Sequence, residues 1–361
     1  IPTGGPATQS SRAAANAIGA EDASRPIASI AVDLIWNSGS PLSGRPVLGK
    51  DGRLRVASRQ GSFDVMTASG QLEYSVNLGA APTGEVYVDE RGWAYVGLAT
   101  DKVVALSADG RKQFTYPSPI GVRGDIGFAE GQGLLFSGHD GQVLGLNRGG
   151  FPTMRLDPKG VLTAGPVGVG NWCVVGTATG DVVWGDRWGK RRRVVVGASV
   201  LSLLPSADDG VWVLTADALI ALSRMRDQLF RMPDVAVATT SGRKATAKGV
   251  VGAALNQDGS LLWLHGDGSV AAKVSVGRVT LRGLELTLDH DDRIWMSGAD
   301  QELVSWEMNG ARSSHGDFAE PPYRPIFDPS RRQGYVATPS GRIFRIALPA
   351  STNPPRTSAA H

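Results

Sequence analysis

The segment GWAYVGLATDKVVALSADGRKQFTY, residues 92–116, decides the fold. Trp93 to Val96 is a short apolar run rich in aromatic and β-branched residues, the composition of a strand. A polar break follows, then the apolar run Val103 to Leu106, then Asp109-Gly110, a pair that accepts the positive φ angles of a tight hairpin. Outward from Gly110, small-or-polar plus Gly pairs recur at Ser69-Gly70, Arg148-Gly149, Trp188-Gly189 and Asn309-Gly310. Gly70, Gly110, Gly149 and Gly189 are spaced 40, 39 and 40 residues apart, and the gap from Gly189 to Gly310 is three such periods. A second series, Gly61, Gly141, Gly180, Gly268 and Gly341, is placed at the preceding hairpin of each unit.

Apolar runs punctuate the chain at the same period: Leu134 to Phe136, Trp172 to Val175, Val211 to Leu214, Leu261 to Leu264, Ile294 to Met296 and Tyr335 to Ala337. Each reads as the second strand of a unit, because a turn-forming cluster precedes most of them. A period near 40 residues with four strands per unit is the spacing of propeller blades. Inner strands then open near Arg45, Thr83, Arg123, Thr163, Val200, Gly249, Leu284 and Tyr323. The expected fold is therefore all-β, one closed β-propeller of eight four-stranded blades, or seven if one start is misplaced. The last unit lacks an outer strand, and Ile27 to Trp36 is expected to supply it, which removes exposed sheet edges. Residues 1–26 read as a flexible lead-in, 27–348 as the propeller and 349–361 as a flexible tail.

Composition agrees with a soluble, turn-rich protein: 361 residues, 42% hydrophobic and 20% charged, with 47 glycines and 21 prolines. No apolar run approaches the roughly 20 residues that cross a bilayer, so membrane contact is expected only through an anchor outside the chain, preceding Ile1. A formal charge of +3 biases mildly toward anionic partners and falls short of a nucleic-acid signature. The single Cys173, in an apolar run, reads as a buried inert thiol.

The segment 92–116, GLLFSGHDGQVLGLNRGG (133–150) and GVWVLTADALIALSRMRDQLF (210–230) resemble the PQQ-like repeat. That family includes quinoprotein dehydrogenases and the outer-membrane assembly lipoprotein BamB, and the resemblance runs over roughly residues 27–348. WD40 repeats fit less well, since the Gly-His and Trp-Asp dipeptides are missing from their places. The resemblance implies a propeller. Among its branches, a BamB-like one implies a protein-binding subunit of an envelope or membrane complex, exported to the periplasm or outer membrane.

Catalytic signals are weak. Quinoprotein enzymes are longer and hold their quinone and a metal ion with carboxylates and amides; here the densest carboxylate run, Asp289 to Asp292 around His290, reads as a solvated first hairpin. His139 and His265 are placed at second-to-third strand turns on one face, as surface polar residues. A Gly-x-Ser-x-Gly elbow and a phosphate-cradling Gly-rich loop are missing. The expectation is thus a non-enzymatic scaffold without cofactor or metal, with a protein partner and no nucleic acid. The alternatives are a small-molecule or glycan-binding propeller and a reduced quinoprotein enzyme.

Partner-contact candidates are Arg243, Lys244 and Lys248, in a connection expected between the fifth and sixth blades (Asp234 to Lys248), and Arg191, Arg192 and Arg193, in the outer strand of blade four. The second group also has the simpler reading of an edge protected by charge. Arg45, Arg123 and Arg324 open inner strands and are expected to line the central funnel. They make a positive mouth if free, and a neutral one if each pairs with a carboxylate such as Asp125.

Overall fold

The computed structural model describes residues 28–29, 32–241, 249–277, 279–297 and 301–348. They form eight four-stranded antiparallel blades arranged in a ring. Seven are continuous in sequence and span 47–77, 87–117, 123–156, 162–195, 200–233, 235–275 and 285–317. The eighth takes three strands from 326–347, and its outer strand is Val32–Asn37, antiparallel to Arg342–Ala347. The ends of the chain therefore close the ring as the sequence implied. Ala28–Ser29 adds a short fifth strand to blade seven, parallel to Arg312–Asp317.

The core is not one mass but eight clusters, each straddling one pair of neighbouring blades. The closing interface joins Leu42, Leu54, Val56 and Met66 of the blade-one side to Tyr335, Ala337 and Ile343 of blade eight. The second and third strands are covered on both faces by adjacent blades, so Ala94–Leu98, Val211–Thr215 and Ala218–Leu222 are buried throughout. This is why they appear in the sequence as continuous apolar runs rather than alternating ones. Outer strands alternate instead; in Leu72–Asn77, Lys112–Pro117 and Gln228–Pro233 the third and fifth residues are half-buried and the others exposed. Gly70 (φ +88) turns under the closing strand, where a β-carbon would collide with the Ile35 carbonyl.

Blade six departs from the sequence reading. Its inner strand is Val235–Thr240, reached from the outer strand of blade five through the single residue Asp234 (φ 59), so 234–248 is no connection between blades. Its second strand is Gly252–Asn256, and Ser260–Leu264 is the third. Gly252 must be small because a β-carbon there would enter the ring of Trp212, and the resulting GAALN strand lacks the β-branched signal. Gly268 accordingly sits in the turn before the outer strand, and Gly259 takes the place assigned to it. In blade three the left-handed turn residue is Gly150 (φ 82), one position beyond Gly149.

Candidate functional site

Successive strands run in opposite directions, so the turns after the inner and third strands lie at one end of each blade. The second-to-third turns and the crossings to the next blade lie at the other. The funnel mouth is at this second end. Arg45 donates through Nε to Glu85 Oε2 at 2.8 Å, the Glu85 amide donates to Asp125 Oδ1 at 2.7 Å, and the Arg324 amide donates to Glu285 Oε2 at 3.1 Å. Burial and the neighbouring Arg45 hold the Arg324 guanidinium below its ordinary range, against the pull of Glu285, Glu85 and Asp125. Two arginines and three carboxylates thus meet there, a mixed ring rather than a positive one. Arg123 is exposed and gives its carbonyl to the Ser137 hydroxyl at 2.9 Å. Gly44 and Gly84 leave room for Glu85 and Asp125 of the following blade, so these charges also latch blade to blade.

The other end carries a repeated device. In seven blades the turn from third to outer strand has one hydrogen-bond frame, in which residue i accepts from the amide of i+3 and donates its own to the carbonyl of i+4. Residue i+3 is left-handed in all seven: Gly70, Gly110, Gly150, Gly189, Arg226, Gly268 and Gly310. Because the frame is constant, position i+1 can be compared directly. It is Ala68, Ala108, Gly266 and Met308 in blades one, two, six and seven, but Arg148, Arg187 and Arg224 in the consecutive blades three, four and five.

The same three turns hold the most exposed aromatics and a methionine. Phe151 is 69% exposed, Trp188 71% and Met225 67%. Arg187 lies 4.3 Å over the Trp188 ring, and Trp172, between turns four and five, has Arg226 at 5.5 Å and Lys190 at 6.0 Å. Arg226 occupies φ 73 where the six equivalent residues are glycine, a conformation that costs a side chain about 1–2 kcal/mol. Arg148 is partly committed to the fold, with Nε 3.5 Å from the buried Asp89 of blade two. Arg224 has its side chain 71% exposed and 3.6 Å from Asp209.

Of the residues singled out in the sequence, Arg191, Arg192 and Arg193 are exposed on the outer strand of blade four, and Arg193 pairs with Asp181 at 2.7 Å. Arg243, Lys244 and Lys248 lie outside the described residues. His139 sits at a second-to-third turn, 2.8 Å from Asp101, but His265 is at the opposite end of its blade, because Ser260–Leu264 is a third strand. The Asp289 to Asp292 run is at the first hairpin of blade seven, yet it is not solvated. Asp289 is buried and accepts from the amides of Asp291 and Arg293 and from Trp295 Nε1 at 2.9 Å. Asp89 does the same in blade two with Tyr95 as the aromatic donor, which marks a recurrent turn lock. Among the described residues no three His, Cys, Asp or Glu side chains gather as a metal-binding group. Cys173 is buried, and that burial pushes its thiol far above the ordinary range.

No family model matches the chain, and no curated protein matches it. Solved structures do. BamB from Moraxella catarrhalis superposes with a TM-score of 0.66 over 90% of this chain and 100% of that one, at 14% identity. The likeness is one of fold. The computationally designed protein Ika8 gives 0.65 over 89% and 100%, at 13% identity. Virginiamycin B lyase from Staphylococcus aureus gives 0.53 over 74% and 94%, at 13% identity. A designed ring and a lyase share this architecture, so function has to be argued from the surface.

Proposed function

We propose that the chain is a non-enzymatic scaffold that holds another protein against the turns of blades three to five. The observation that carries this is the substitution of arginine at one turn position in three consecutive blades, accompanied by exposed Phe151, Trp188 and Met225. Arginine, methionine and large aromatics are the residues enriched in protein interfaces. Turns on a rigid ring keep their geometry on binding, which limits the entropy a partner must overcome. The PQQ-like resemblance and the likeness in fold to BamB support an envelope or membrane complex as the partner and an exported location, periplasmic or at the outer membrane.

The test is capture from the native extract with the intact chain beside a Phe151→Ser, Trp188→Ser double variant. Both residues are exposed, so the variant should keep its melting temperature. A partner held by the parent and lost from the variant is expected. A partner held equally by both would move the site elsewhere.

A further inference from the structure

Beside these turns, between blades five and six, lies a cleft of about 280 Å³. Trp212 is almost fully buried at its base, Leu222 and Val251 line it, Leu229 and Met225 stand at its lip, and Arg224 is at its mouth. We propose that this cleft receives one large apolar side chain of an extended, acidic peptide segment of the partner protein, an inference that rests on the scaffold reading above.

A volume at the lower edge of the range for whole small-molecule sites, about 300 to 1,000 Å³, suits a single anchor. The cleft exists because of two local choices. Gly252 lets the Trp212 ring lie against blade six, and Phe230 of the outer strand of blade five meets that ring edge-on at 5.3 Å. Gly266 then occupies the turn position at which blade seven has Met308, so that position puts no side chain over the opening. Leu229 and Met225, 55% and 67% exposed, are thereby left facing water where a bound side chain would cover them.

Charge complementarity selects the flanking residues of the peptide. Asp208 lines the cleft and Asp209 stands 3.6 Å from Arg224, but leaving the cleft toward blade four the chain would pass Arg224, Arg226, Lys190 and Arg187. An anchor followed by Asp or Glu matches that order, whereas a basic segment meets repulsion.

Random linear 12-residue peptides displayed on phage and panned against the full chain test this. Enriched sequences are expected to carry a Phe, Trp, Leu or Met within a few residues of Asp or Glu. The selected peptide, made synthetically and followed by fluorescence anisotropy, should lose at least about tenfold in affinity on Gly266→Met, which fills the opening with the residue blade seven tolerates, and on Arg224→Glu. It should keep its affinity on Phe151→Ser with Trp188→Ser, so the cleft and the wider surface are read separately. Basic consensus sequences, binding indifferent to Gly266→Met, or no enrichment at all would overturn the cleft while leaving the scaffold reading to its own capture test. A change of oligomeric state removed by Gly266→Met would assign the cleft to a second copy of the chain instead, and overturn it too.

Discussion

His315 should make the stability of the ring depend on pH in a defined window. It lies in the outer strand Arg312–Asp317, fully buried, with its ring 4.2 Å from Trp295 and its Nε2 2.7 Å from Ser305 Oγ. Burial, reinforced by the charge of Arg293, lowers its pKa from 6.5 to about 4. The fold therefore excludes the protonated ring, while the unfolded chain takes up a proton below 6.5. Stability is fully present above that value, falls by about 1.4 kcal/mol for each pH unit toward 4, and levels off below it. The total is on the order of 3 kcal/mol. Urea denaturation of the parent and of His315→Phe from pH 7.5 to 4 reads this as a difference of slopes, which cancels the carboxylates common to both. Parallel profiles would refute the reasoning, whatever the absolute cost of the substitution.

Other perturbations follow from the same packing. Asp51→Asn leaves Arg55, which is fully buried and bonded to Asp51 at 2.6 and 3.0 Å, without its counter-charge; a loss of about 3–5 kcal/mol is expected by chemical denaturation. Gly70→Ala forces a side chain into a left-handed turn beneath the closing strand and should cost on the order of 1–3 kcal/mol, with faster proteolysis between residues 32 and 47 as the specific sign. Leu34 and Phe344 are directly paired across the closure, so Leu34→Cys with Phe344→Cys should oxidise to an intramolecular disulfide that a non-reducing gel detects, the native Cys173 being buried.

Much of the fold was legible because the repeat left its marks in turn residues. Asp109-Gly110 and Trp188-Gly189 punctuate the chain at a fixed period, and strands buried on both faces, such as Val211–Thr215, stand out as apolar runs. The phase of blade six is hidden in the sequence because Gly252–Asn256 is built from small residues that make way for Trp212, and because Asp234 turns the chain in one residue, without a glycine. The Asp289 to Asp292 run has the local pattern of a solvated hairpin, and nothing near it in sequence announces that Trp295 and Arg293 pack over Asp289. At the funnel, Arg45 was visible but not its partner Glu85, a full period away in the next blade. The turn arginines Arg148, Arg187 and Arg224 share one position only when the turns are aligned on their left-handed residue. Glycine alone could not supply that alignment, because blade five uses Arg226 in its place.

The repeat also provides its own control for the central claim. A photo-crosslinking residue placed at Trp188 occupies the same turn position as one at Asp109 in blade two or Asn309 in blade seven, with the same hydrogen-bond frame beneath it. Irradiated in its native extract, the chain should give a discrete higher-mass adduct with another protein from position 188 and none from positions 109 and 309. Equal adducts from all three positions, or none from 188, would contradict a partner surface on blades three to five.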